Sequence, residues 1–272
     1  MSVSSHWEHY PLVFVDVETT GLDPFGQDAI CEIGAVKISQ GVLVDTFSSL
    51  VNPKRPIPSL VSSIHSIYDE DVKGAPYFEQ IVDTFMSFIS GSVLAGYNVR
   101  FDLSFMNAEL KKIHYPVIDL AALDVLIMAR QTLKGLAHYN LSAVARHLHI
   151  KIDRAHRALD DALLTSKVYG SLQKELVKKG IATMAEYVAL FGIKNEFLKK
   201  IQEPKVGFLQ ESIETKLTVQ VRYLASDGNV TGGIIKPCGF IGEDKSVLEA
   251  IEIKTGQRLR IDVRTIISLE LF

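Results

Sequence analysis

The sequence predicts a mixed α/β sheet flanked by helices, followed by a small all-β module. Three observations lead there. Two early hydrophobic runs joined by Ser39-Gln40-Gly41 read as a hairpin, and strand–helix alternation follows them, the pattern of a mixed sheet covered by helices. Near Pro204 the pattern changes, and from Leu217 onward only strand-like runs remain. The length of 272 residues is comfortable for two domains. The chain accordingly divides into a first domain over residues 1–175, a helical linker over 176–204 and a β-module over 205–272.

In chain order, Pro11 to Glu18 alternates hydrophobic residues with Asp16 and Glu18, a buried strand ending in acids. Gly21 to Gln27 holds two glycines, a proline and an aspartate, so the chain turns there. Ala29 to Ile38 and Val42 to Val51 are the hairpin strands, and the proline-rich run Asn52 to Pro58 is a loop. Phe78, Ile81, Val82, Phe85 and Phe88 have helical spacing within Tyr77 to Ile89. Ser92 to Tyr97 is a short apolar strand, Phe101 to Ile113 a helix, and Val117 to Leu120 another short strand. Helices are expected over Ala121–Leu133, Leu141–His147 and Ala158–Lys179, with one or two more over Ile181–Gln202, broken near Gly192. Pro204 to Gly207 reads as a boundary, and four strand-like runs follow, the first two separated by an Asp227-Gly228 turn.

Composition narrows the class. Hydrophobic residues make up 47%, enough for a proper core. No run is long and apolar enough for a membrane helix, and Met1 to Tyr10 lacks the basic start and apolar stretch of a secretory signal. A soluble, cytoplasmic protein with no membrane partner is expected. Cys31 and Cys238 lie far apart in apolar runs and read as buried thiols. The net charge of −3 speaks against broad electrostatic binding of duplex DNA, unless metal ions and a few local groups hold the anion.

Three acidic segments carry the chemistry. Asp16 and Glu18 lie two apart on a strand and so share a face, where two carboxylates repel and cost desolvation unless a divalent cation sits between them. Hard oxygen ligands favour Mg²⁺ or Mn²⁺. Asp102 follows Tyr97-Asn98-Val99-Arg100-Phe101 at a helix start, and His156 precedes a helix whose first turns carry Asp160 and Asp161. Taken singly, each has an ordinary reading: solvated strand-end acids, acids that complement a helix dipole, and a surface histidine.

Together and in order, FVDVETTGLDP, ICEIGAVKI, SIHSIYDEDV, GYNVRFDLSFMNAEL and HRALDDA resemble the motifs of the DEDD exonuclease superfamily. The histidine places the resemblance in the branch that includes the proofreading subunit of the bacterial replicative polymerase and ribonuclease T. It covers about Pro11 to Gly170 and departs from the family at Ser66, which stands where a glycine is usual. The resemblance implies a ribonuclease H-like fold with a mixed five-stranded sheet, and Asp16, Glu18, Asp102 and Asp161 as ligands of two divalent ions. Asp161 is preferred to Asp160 because the family aspartate falls five residues after the histidine. His156 matches the general base, a task that the near-neutral pKa of histidine suits. Thr19, Gly21 and Leu22 are implied under the terminal nucleotide, with His65 and Asn98 lining the same pocket, whereas Phe101 reads as core rather than as a stacking platform. Two ions about 3.5–4 Å apart clamp the attacking and leaving oxygens of a phosphodiester. The implied activity is 3′→5′ exonucleolytic release of nucleoside 5′-monophosphates from DNA, single-stranded 3′ ends foremost. The alternatives are an exoribonuclease acting on RNA and a binding protein with a relict nuclease domain. A polymerase or another DNA-processing protein is the expected protein partner.

The tail resembles a WYL-type module, a small Sm/SH3-like barrel, through strand–turn–strand, Ile235-Lys236-Pro237 and the closing run from Arg258, although the Trp-Tyr-Leu triplet is absent. Arg258, Arg260 and Arg264 are its candidate nucleic-acid contacts, sharing one face if their strand is unbroken.

Overall fold

The computed structural model describes residues 10–152, 156–193, 196–242 and 245–272, with side chains throughout except at 196–204. The reading of the first nine residues as lacking a leader lies outside them.

Strands β1 (Leu12–Thr19), β2 (Ile30–Ser39), β3 (Val42–Leu50), β4 (Val93–Gly96) and β5 (Ala122–Asp124) form the expected mixed sheet in the order β3-β2-β1-β4-β5. β1 pairs antiparallel with β2 and parallel with β4, so it lies at the centre. Alternation along β1 feeds two cores: Val13, Val15 and Val17 on one face, Leu12 and Phe14 on the other. The β2–β3 hairpin closes through Gln40 and Gly41, both with positive φ, as a two-residue turn matched to strand twist requires.

Helices α3 (Phe78–Ile89), α4 (Val99–Lys112), α5 (Val125–Thr132), α6 (Leu141–His147) and α7 (Ala158–Lys178) cover the sheet. Phe78, Val82 and Phe85 of α3 are buried as the spacing predicts, with Ile89 beside them, while Ile81 and Phe88 are half-buried against the same core. Two short helices went unpredicted: α1 (Ser59–His65) ends within the SIHSIYDEDV segment, and α2 (Asp69–Val72) lies inside it. Ser66 ends α1 in the left-handed conformation at φ 57°, which explains why a glycine is usual there. The strand expected at Val117–Leu120 falls instead at Ala122–Asp124, inside the stretch read as helix. The reason is Asp124, whose side chain accepts from the Leu126 and Ile127 N–H groups and so starts α5 after itself.

After α8 (Met184–Phe191), α9 (Glu196–Thr215) runs through Pro204 and Gly207, where a boundary was expected. Packing outweighs the two helix-breaking residues: Leu209 is buried, and Val206, Phe208 and Ile213 pack on the core of the second sheet. That sheet is antiparallel throughout, with β6 (Val219–Leu224), β7 (Val230–Ile241), β8 (Val247–Glu252), β9 (Arg258–Asp262) and β10 (Ile266–Leu271) in the order β10-β6-β7-β8-β9. β7 continues past Pro237 through a register shift between Pro237 and Gly239, where a proline, lacking an N–H, is tolerated. Cys238 sits at this irregularity and is exposed, contrary to the expectation of two buried thiols, whereas Cys31 is buried.

The two sheets meet. Leu224 at the end of β6 is 3% exposed within the core of the first unit, with Val230 and Ile267 packed beside it. Lys179 Nζ donates to the Gly228 carbonyl at 2.5 Å and Arg222 to the Gly180 carbonyl at 3.4 Å. Among the described residues no helix is long and apolar enough to cross a membrane.

Candidate active site

Asp16 and Glu18 project from one face at the end of β1, and Asp161 reaches them from the first turns of α7. One carboxylate oxygen of each lies within 4.8 Å of the others. Burial first, and then the neighbouring carboxylates, hold Asp16 well above the ordinary range and push Glu18 up to about 8. Burial also raises Asp161, opposed by a hydrogen bond from the His156 backbone. Acids forced together out of water need a cation, and an all-oxygen set suits a hard divalent ion.

Asp102 lies outside that trio. It is 3% exposed in the first turn of α4, and its Oδ1 accepts from the Val17 N–H at 3.0 Å. It is still the largest electrostatic influence on Asp16, and burial pushes its own pKa up to about 7. The hydrogen bond locks Asp102 to the strand residue between Asp16 and Glu18.

His156 is exposed just before α7, with φ 63°, uncommon for a residue other than glycine. Its N–H donates to Asp161 Oδ2 at 3.0 Å. His156 and Asp161 line an open hollow of about 350 Å³ with Asn140, Leu141, Ser142 and Arg146. The expected substrate residues separate into two groups. Thr19 and Gly21 form the exit from β1, the Thr19 hydroxyl donating to the Gly21 carbonyl at 2.6 Å, and Leu22 beyond them is 83% exposed. A Cβ on Gly21 would lie 2.2 Å from Asp28 Oδ2, so a side chain there would have to push the Asp28 carboxylate off its hydrogen bonds to the Thr20 hydroxyl and the Asp23 N–H. Asn98 is exposed in the left-handed conformation at the start of α4. His65 differs: it is 2% exposed, its Nδ1 accepts from the Ile67 N–H, and it hydrogen-bonds the Thr19 backbone. It supports the Thr19 turn from behind rather than lining an open pocket.

Residues 13–169, more than half of the chain, match the family described as Exonuclease. The chain belongs to the Exonuclease family. This exonuclease is 39% identical over 169 residues to the DNA polymerase III subunit epsilon of Rickettsia felis, covering 59% of this chain and 72% of that protein. It is 35% identical over 189 residues to the PolC-type DNA polymerase III of Caldanaerobacter subterraneus subsp. tengcongensis. That match takes 70% of this chain but only 13% of the relative's length. In fold it resembles the zinc-bound Escherichia coli ExoI–single-stranded DNA complex, with a TM-score of 0.60 at 13% identity, over 96% of this chain and 64% of that one. The likeness therefore extends into the second sheet. The family is one of hydrolytic nucleases that use divalent metals, and the motifs place this exonuclease in the histidine-containing DEDD branch.

The exonuclease also holds polar groups at the site that sequence reasoning passed over. Glu32 of β2 is 2% exposed and pairs with Arg157 and the Ala158 N–H. The signal was a glutamate among the apolar residues that begin the run ICEIGAVKI. Asp124 Oδ1 accepts from Asn98, Leu126 and Ile127 N–H groups, tying the α4 and α5 starts together.

Proposed function

We propose that this exonuclease removes nucleotides from the free 3′ end of DNA, releasing nucleoside 5′-monophosphates, with single-stranded ends as preferred substrate. The observation that carries the reading is the convergence of Asp16, Glu18 and Asp161 within 4.8 Å, next to a solvent-facing His156. Asp16, Glu18, Asp102 and Asp161 would hold two divalent cations, Mg²⁺ or Mn²⁺. When bound, such ions activate water and stabilise the departing oxygen of a phosphodiester. The chain's own residues do the rest. Asp102 fixes the β1 end through Val17, and Asp161 anchors the His156 backbone. The His156 imidazole, at the rim of the hollow, accepts the proton of the attacking water. Exposed Leu22, carried on the Thr19–Gly21 turn, offers an apolar surface to the terminal base, and Asn98 borders it. DNA is preferred over RNA because the two relatives named above are DNA polymerase III proteins; that kinship also makes a polymerase the expected partner.

The second sheet, with α9 packed on it, is proposed as a WYL-like module that adds nucleic-acid affinity. Its strand order, with a preceding helix and a 3-10 turn before the last strand, supports a small Sm/SH3-like barrel. Arg258 and Arg260 lie exposed on one face of β9, Arg260 pairing with Glu249 at 3.2 Å. Arg264 leaves that face, because the strand breaks into the 3-10 turn Val263–Thr265, where Arg264 pairs with Asp262.

The test is digestion of end-labelled linear and circular DNA and RNA with Mg²⁺, with Mn²⁺ and with chelator. Mononucleotides released from linear 3′ ends, with circles left intact, are expected. Efficient cutting of circles refutes end-directed action, and faster loss of RNA refutes the DNA assignment.

A further inference from the structure

We propose that Glu32 and Arg157 form a positioning clamp that pins the start of α7, and with it His156 and Asp161, onto β2 while keeping a fifth carboxylate off the metal ligands. The inference rests on the metal-site reading above.

Glu32 stands directly across from Glu18 in the β1–β2 register. Like charges so placed repel, and a free carboxylate there would compete for any cation the cluster binds. Both Glu32 oxygens are instead occupied. Arg157 Nε donates to Oε1 at 3.2 Å and to Oε2 at 3.1 Å, and Nη2 donates to Oε1 at 2.5 Å. Ala158 N–H, the first of α7, donates to Oε2 at 2.9 Å. A forked guanidinium and an amide thus fix one carboxylate in a single orientation. Two residues along the same face of β2, Gly34 admits the helix: a Cβ there would lie 2.1 Å from the Leu159 nitrogen. Glu32 and Gly34 therefore determine where α7 begins. His156 sits immediately before Arg157, and Asp161 follows one turn later. Glu32 and Arg157 bring opposite charges to the same edge of the cluster: the carboxylate faces Glu18 across the β1–β2 pair, and the guanidinium sits on it.

The opposite charges separate the clamp from a merely structural ion pair, because removing one or the other should shift metal affinity in opposite directions. The experiment is calorimetric titration of the full chain with Mn²⁺, alongside kcat and KM on a short oligonucleotide, for wild type, E32Q, R157Q, R157K and E32Q/R157Q. E32Q leaves Arg157 uncompensated beside the ligands and should weaken Mn²⁺ binding about 10-fold, the lower end for groups supporting a metal site. R157Q bares the Glu32 carboxylate and should bind Mn²⁺ at least as tightly as wild type, yet lose kcat at unchanged KM because α7 is no longer pinned. R157K should keep near-normal Mn²⁺ affinity without recovering kcat, since an ammonium cannot form the fork. The double variant should bind Mn²⁺ within about 3-fold of wild type, the two effects cancelling as coupled sites do. Equal weakening in both single variants with additive loss in the double overturns the clamp, as does unchanged affinity and kcat throughout. If E32Q does not fold, the R157Q and R157K comparison decides alone: weaker Mn²⁺ binding in R157Q refutes the clamp. Failure of the wild type itself to bind Mn²⁺ strikes the metal-site reading instead, so the two failures are distinguishable.

Discussion

Loading the acidic cluster with a divalent ion should expel protons, and the structure sets how many. Glu18 is pushed up to about 8 and Asp102 up to about 7, burial leading in both cases. At pH 7 Glu18 of the metal-free protein is then mostly protonated and Asp102 partly so. Asp16 and Asp161 are raised as well, so binding should release roughly one to two protons from this group of acids. The perturbation is titration with Mn²⁺ near pH 7 in PIPES and in Tris, whose ionisation enthalpies differ widely. The slope of observed enthalpy against buffer enthalpy counts the protons released. A slope between one and two is expected, together with an apparent affinity that climbs from pH 6 to about pH 8 and then levels. A slope near zero, or an affinity flat across that range, would show the carboxylates already ionised and refute the argument from burial and mutual repulsion.

Asp16→Ala, Glu18→Ala, Asp102→Ala and Asp161→Ala should each lose most turnover in a nuclease assay while staying folded by circular dichroism, and Asp160→Ala should be milder; a dead Asp160 variant beside a live Asp161 variant would shift the motif register by one. His156→Ala should slow the chemical step by about 10²–10⁴-fold while Mn²⁺ binding persists, and a smaller loss in single-turnover kinetics would assign the proton to another group. Without metal, the raised folded-state pKa of Glu18 makes its contribution to stability full below about pH 4.5 and progressively lost as pH rises towards about 8, so thermal midpoints measured in chelator should fall over that window and recover with Mn²⁺. Reversing Arg258 and Arg260 to glutamate should weaken binding of long DNA in a salt-dependent manner and spare hydrolysis of a dinucleotide; unchanged binding at low salt would leave the β9 arginines as an ordinary solvated face.

The first sheet was legible because its signals are local. Alternation in Leu12–Thr19, a two-residue turn at Gln40-Gly41 and helical spacing from Phe78 each fix an element without knowledge of the rest. The acids of the candidate site were legible for a different reason: their order along the chain matches a known set of motifs. What failed depended on partners distant in sequence. Asp124 is the exception: it is a local cap for the Leu126 and Ile127 N–H groups, but it lay inside the Ala121–Leu133 stretch read as one helix. His65 matched a motif position, yet its burial behind Thr19 is a tertiary fact. Glu32 was quoted within a motif and left without a role, since its partner Arg157 is 125 residues away. Pro204 and Gly207 carry strong breaking tendencies, and apolar contacts from Val206, Phe208 and Leu209 to the second sheet overrule them.

Leu224 belongs by sequence to the second sheet and by packing to the core beneath the first. A side chain shared in this way makes the melting of one unit felt by the other, because separating them strips water-excluded surface from both. Heating should therefore produce one cooperative transition for the chain rather than two. Any ligand that grips either unit then protects the whole: nucleic acid held by the β-module would raise the temperature at which the carboxylate cluster comes apart, even if it never touched a carboxylate.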